Sequence, residues 1–266
     1  MRTFEVISAL GLVAALAAPA RAQYPGKGPA PLLHVDDAHS TCFFDLHPEL
    51  TQAEFEEFAT ELGSLLRFRQ LADTTTLGKG KVDVSVQYAS TPVDDSKGAW
   101  NNTMSHPAAD HYLGQSIAFP RLVARFGVSD RVDVGAWGGL DPRSNYGMVG
   151  VDAKIALLRQ GPGRPVSVAI RPSITSLVGP SEVWAGNASV DVSVSRAIGP
   201  LSPYVGAAAS SSLAVERSKD VVLDPATGDN AVVYAGLAYR WRALVLSAEV
   251  ENGALTSYGL RIGTRF

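Results

Sequence analysis

The chain has little sulfur, little charge and, past its first residues, no long apolar run. Among 266 residues there is one cysteine, Cys42, so no disulfide can form within the chain. Cys42 is either a reactive or intermolecular thiol or, the preferred reading, a small buried hydrophobe beside Phe43 and Phe44. Charged residues make up only 18% and the formal net charge is −3, so the basic field that a nucleic-acid partner requires is missing. Mean hydropathy is +0.07, which excludes a polytopic helical membrane protein. It does not exclude a membrane barrel, whose strands alternate apolar with polar residues and average near zero. The P-loop, the Rossmann glycine pattern and any defensible Ser/His/Asp order are also missing. No catalytic residue, cofactor or metal is therefore assigned.

What is present begins with an export signal. Arg2 supplies a positive charge, Val6 to Ala18 form an apolar run, and Ala20-Arg21-Ala22 gives a small-x-small pattern before Gln23. Glu5 departs slightly from that pattern. The run is short for an anchor, which needs about 20 apolar residues, so cleavage near Ala22 is expected. The Pro- and Gly-containing stretch from Gln23 to Pro31 reads as an extended leader.

A helix follows. Thr51 and Glu54 form a capping box, and Phe55, Phe58, Leu62 and Leu65 or Leu66 recur on one face. Acids (Glu54, Glu56, Glu57, Glu61) come early and Arg67 and Arg69 late, as the helix dipole prefers. This predicts about four amphipathic turns, whose apolar stripe must lie against a periplasmic rim, in a barrel mouth, on a partner or, preferably, on its own domain.

From Lys81 the period changes to two and stays there. Rows such as Val82, Val84, Val86 and Tyr88, or Val149, Val151, Ala153, Ile155 and Leu157, recur about ten times, ending with Tyr258, Leu260, Ile262, Thr264 and Phe266. Each has roughly the length a tilted membrane strand needs, and none promises to project far above a membrane. Connections alternate between tight turns (Val128–Arg131, Gln160–Pro165, Ala197–Ser202, Arg240–Arg242) and longer ones (Ala89 to Ser116, Glu216 to Asn230). An even strand count with its tight turns on one side predicts an all-β, antiparallel up-and-down transmembrane barrel, tight turns towards the periplasm. The last strand should close on the first, near Val82–Tyr88.

Alternation alone leaves the outward face open, because a soluble barrel buries the same rows inside. Aromatics at the ends of apolar rows (Tyr88, Phe126, Trp184, Tyr239, Trp241, Tyr258, Phe266) favour lipid outside. With Tyr258, Leu260, Ile262 and Phe266 in its final row, the chain resembles the porin-like class of bacterial outer-membrane β-barrels over about 81–266. That resemblance implies an assembly signal in those four residues, recognition by the barrel-assembly machinery, outer-membrane lipid as the surroundings and a Gram-negative envelope. Three parts are expected: a signal peptide (1–22), a periplasmic or plug segment (23–79) and the barrel (80–266). Trp137 and Phe119 fall on the inward parity, and Pro172 interrupts a strand, so a bulge or strand end is expected there.

The inward rows carry Lys81, Asp83, Arg121, Arg125, Asp133, Asp152, Lys154, Arg171, Asp191, Glu249, Arg261 and Arg265. They read either as a charged pathway for a small solute or, preferably, as a salt-bridged closure, since so small a barrel is little wider than its side chains. A narrow transport channel, a non-conducting interaction or adhesion barrel and, remotely, an omptin-like rim protease are the functional alternatives. The last rests on Asp94, Asp95, His106, Asp110 and His111 in the first long loop, where His106, Asp110 and His111 also make a weak metal motif.

Overall fold

The structure is a computed structural model that describes residues 33–109 and 116–266. The expected signal peptide and leader, and Asp110 and His111, lie outside the described residues. Two short strands, β1 (Phe43–Phe44) and β3 (Met104–Ser105), pair with each other. Helix α1 spans Gln52–Leu66 and a single turn, α2, Gly98–Asn101. The remaining strands are β2 (Val82–Thr91), β4 (Ile117–Gly127), β5 (Val132–Leu140), β6 (Gly147–Leu158), β7 (Ser167–Val178), β8 (Val183–Ser195), β9 (Leu201–Glu216), β10 (Ala226–Trp241), β11 (Leu244–Asn252) and β12 (Thr256–Arg265).

These ten strands form a closed antiparallel barrel in which sequence neighbours pair throughout. Closure joins β12 to β2, with Ile262 opposite Val86 and Arg265 opposite Asp83. Phe266 and Val82 extend that ladder by exchanging backbone hydrogen bonds of 2.9 and 3.2 Å. Every expected strand pair forms because each row has a period of two, and a slip of one residue would turn its apolar set inward.

The apolar rows face outward. Leu122, Val151, Ile174, Val233 and Ile262 are all more than half exposed, as are Trp241 and Phe266 at the tight-turn end. A belt of that extent is stable only against lipid. Aromatics bound it at both ends: Tyr88, Trp184 and Tyr258 towards the long loops, Phe126, Tyr239, Trp241 and Phe266 towards the tight turns. Along β12, Tyr258 and Phe266 are separated by about 26 Å of strand, roughly 20 Å along the axis of a tilted barrel.

Two expectations need correction. Strands β9 and β10 are 16 residues each, so these two do project beyond the apolar belt on the long-loop side, and the second long connection shrinks accordingly. The cause is legible in their outer ends, where Ser212 and Asn230 face inward onto helix α1. Strand β7 also runs straight through Pro172. The β6–β7 ladder skips the Ala153–Lys154 step opposite Arg171–Pro172 without losing register, and the bulge lies instead at Ala156/Leu158. Pro172 pairs with Val190 on its other side and is exposed to the outside.

Candidate functional site in the lumen

Helix α1 sits in the long-loop mouth of the barrel. Its capping box forms as expected, with the Glu54 backbone N–H donating to Thr51 Oγ1 and the Thr51 backbone N–H to Glu54 Oε2. The stripe Phe55, Phe58, Leu62, Leu65 and Leu66 is buried. Ser212 Oγ donates to Ala59 O (2.7 Å) and Asn230 Nδ2 to Thr60 O (2.8 Å), tying the helix to β9 and β10. The approach is close: a Cβ on Gly228 would lie 2.4 Å from Thr60 Cα. Above the helix, Phe44, Trp100 and Met104 complete an apolar cap, with Trp100 edge-on to Phe58 at 5.3 Å. Lys97 bonds Glu57 and Glu61 of α1 (2.7 and 2.6 Å), and these carboxylates hold its pKa above the ordinary lysine value.

From Leu66 the chain leaves helical geometry and runs down the lumen. Arg69 meets the dipole expectation, since its guanidinium donates to Ser64 O (2.9 Å) at the helix end. Arg67 does not: it caps the helix by backbone only and turns its side chain to Glu251 of β11. Further down, Gln87 Nε2 donates to Gln70 O (3.3 Å), Thr74 N to Ser195 Oγ (3.2 Å) and Lys154 Nζ to Thr75 O (2.7 Å). Leu77 N then donates to Asp133 (3.0 Å), and Gly80 N to Gly127 O (2.8 Å) at the tight-turn end, where β2 begins. The segment therefore enters at one mouth and leaves at the other.

The inward charges surround this segment. Arg125 donates to both oxygens of Asp152 (2.9 and 2.8 Å), and Arg171 lies 3.6 Å from Asp152 and from Asp191. Lys154 pairs with Asp133 (3.4 Å), Arg261 and Arg265 both with Asp83, and Tyr234 donates to Asp191 (3.0 Å). At the centre, Phe68 stacks on Trp137 (5.3 Å), with Arg125 and Arg171 over its ring at 5.4 and 5.8 Å. Trp137 is inward for that reason. Arg121 lies over the Trp137 ring at 5.2 Å.

Of the twelve inward candidates, eleven lie on the interior face, Glu249 among them, with Arg265 half-buried at the rim. Lys81 is the exception: it precedes β2 and is exposed at the tight-turn end, because the chain there is still emerging from the lumen. Glu251, Arg67, Arg69 and Asp73 are the important residues that the strand rows did not single out as a site. The inward parity of Trp137 and of Tyr204 and Tyr234 was the available signal that something apolar fills the lumen. The void left beside Leu65, Arg69 and Arg121 is about 10 Å³, room for a single water.

The described part of the first long loop, residues 92–109, is folded into the cap. Asp95 and His106 are buried, and His106 Nδ1 lies 3.1 Å from Cys42 Sγ. Cys42 is buried beside Phe43 and Phe44, in keeping with the preferred reading, and burial pushes its thiol up to about 12. Nearby, His34, His47 and Glu49 bring ligand atoms within 4.8 Å of one another. The two imidazoles, however, stack at 3.4 Å and 14°, so their lone pairs lie in separate, nearly parallel planes. One ion at about 2.1 Å from a ring nitrogen lies in only one of them.

No family model matches the chain, and no curated protein does. Among solved structures, it is similar to the N-terminal β-barrel domain of Pseudomonas aeruginosa OprF (13% identity, TM-score 0.34, 71% of this chain and 99% of that one). It is also similar to Ail, the attachment invasion locus protein of Yersinia pestis, crystallised with a heparin analogue (15%, 0.32, 71% and 99%), and to Neisserial surface protein A (13%, 0.32, 70% and 94%). A closed antiparallel barrel, apolar outside and charged inside, defines the class: a bacterial outer-membrane β-barrel. Within that class it is a ten-stranded barrel filled by its own N-terminal segment.

Proposed function

We propose that the protein is a non-conducting outer-membrane barrel that displays a folded cap, built from residues 33–50, helix α1 and the first long loop, at the cell surface as an interaction surface. The observation that carries this reading is the passage of Arg67–Thr76 through the lumen, bonded to the wall at Glu251, Ser195 and Lys154. A solute path would require that segment to leave, stranding Glu251 without Arg67 and Arg69 and leaving the Phe68 site empty. Burying charge without a partner is among the costliest states a protein interior adopts. The tight turns at the other end support a periplasmic assignment for that side, after export and cleavage near Ala22. The cap then faces outward with acidic groups exposed on it, Asp36, Asp37, Glu49, Glu56 and Asp94 among them.

Purified protein in planar bilayers is expected to give no sustained conductance steps. An epitope inserted at Asp37, in the exposed turn after β-bridge residue Val35, is expected to bind antibody on intact cells. Stable open steps would overturn the closed reading, and detection only after permeabilisation would overturn the display reading.

A further inference from the structure

The tight-turn rim is as basic as the cap is acidic. Lys79, Lys81, Arg131, Arg159, Arg164, Arg196, Arg240 and Arg242 are exposed there, and Asp130 is the exposed acid among them. Three of these arginines converge. Arg131 from the β4–β5 turn and Arg159 and Arg164 from the β6–β7 turn line one concavity of about 430 Å³, with Gln160, Gly161 and Pro162. No carboxylate lines it. The ion pairs of the described residues leave all three arginines out. Asp130, the nearest acid in sequence, accepts from the Lys79 backbone N–H (3.3 Å).

The floor of the concavity is rigid. Gly161 and Arg164 exchange backbone hydrogen bonds of 3.0 and 2.9 Å across a two-residue turn, with Gly163 at φ +71°. Gln160 is held by Ala197 on both sides of its amide (3.1 and 2.8 Å) and by Ser167 Oγ (3.0 Å). The turn therefore fixes where Arg159 and Arg164 start, and their planar guanidinium forks match the oxygens of a phosphate diester.

The same wall of the barrel carries an apolar groove of about 710 Å³ on its outside, lined on β4–β7 by Phe126, Val134, Ala136, Val151, Ala153 and Ile174. Val134 is three residues along β5 from Arg131, about 10 Å up the wall. Leu157, next to the arginine turn on β6, is also exposed to lipid. A phosphate-matched cluster below an apolar groove on the same wall has the chemistry of one kind of molecule.

We infer that Arg131, Arg159 and Arg164 bind the headgroup of an anionic phospholipid whose acyl chain lies in the β4–β7 groove. The charge complementarity selects an anionic over a zwitterionic headgroup, and the groove selects a membrane lipid over a free phosphate. The inference needs the barrel to span a bilayer; it does not depend on the lumen being closed or on which side the cap faces.

The test uses the full-length protein in detergent, challenged with dioleoyl phosphatidylglycerol or dioleoyl phosphatidylcholine and read by native mass spectrometry. Wild type is expected to retain phosphatidylglycerol roughly tenfold better. The variant R131Q/R159Q/R164Q should lose that preference, and A153W, which fills the groove, should lower retention of the lipid while all three arginines remain. R196Q/R242Q, on the same rim but away from the groove, should behave as wild type. All three substituted chains carry changes at exposed or lipid-facing positions, and folding is checked by heat-modifiable migration. Equal retention of the two lipids by wild type, or an unchanged preference in the triple variant, overturns the inference. An equal loss in R196Q/R242Q also overturns it, because rim charge alone would then account for binding.

Discussion

Phe68 occupies the point in the lumen where Trp137, Arg125 and Arg171 converge on one ring. It is 1% exposed, and nothing of similar volume stands ready to fill its place. Phe68→Ala is expected to cost about 3–5 kcal/mol, as removal of a packed core aromatic does. Urea unfolding from lipid vesicles measures it; a loss below about 1 kcal/mol would mean that the segment contributes little to holding the barrel together. Cys42 gives a second residue-level expectation. With the thiol buried and pushed up to about 12, maleimide should leave the native protein unlabelled at neutral pH and modify it fully once denatured. Rapid native labelling would show the cap to be open.

At the scale of elements, the cap is the part most sensitive to conditions. His47 is half-buried and stacked on His34, and burial, followed by the neighbouring His34, holds its pKa below the ordinary 6.5. Asp45, Glu49 and Asp36 oppose that shift without reversing it. A base with a lowered folded pKa binds fewer protons folded than unfolded. Its contribution is therefore complete above pH 6.5 and is lost as pH falls through the depressed value. Protease resistance of residues 33–50 should be flat above pH 6.5 and decline below it, and His47→Gln should flatten the profile. A decline that persists in His47→Gln would assign the effect to other groups. Helix α1, by contrast, was legible from its capping box and apolar stripe, down to the two residues of the box. Its location was not, because an amphipathic stripe states that a face is buried and is silent about what buries it.

For the whole molecule, the charge distribution and the threading give the barrel two unlike ends, an acidic cap on the long-loop side and a basic rim on the tight-turn side. The barrel itself was legible almost residue by residue. The division of Val86, Leu122, Val151 and Ile262 from Asp83, Arg125 and Arg171 and the pairing of β12 with β2 follow from a period of two with tight turns on alternate connections, and the aromatics at the row ends turn the apolar face outward. Strand rows reveal parity, so they also flagged Trp137 as a misfit, and the structure turns that misfit into the seat of Phe68.

What the sequence determined by itself was therefore the wall: about ten strands, the two faces of each, the closing pair and the helix ahead of them, because these are written in spacings of two or of three and four along the chain, with the aromatics at the row ends choosing the outward face. What fills the wall was decided only in three dimensions. Arg67 finds Glu251 across 184 residues, and Thr74 finds Ser195 across 121. Contacts of that separation leave no periodic trace, so a segment with two arginines, an aspartate and threonines reads equally as periplasmic or as a plug until a closed barrel of opposite charges is built around it.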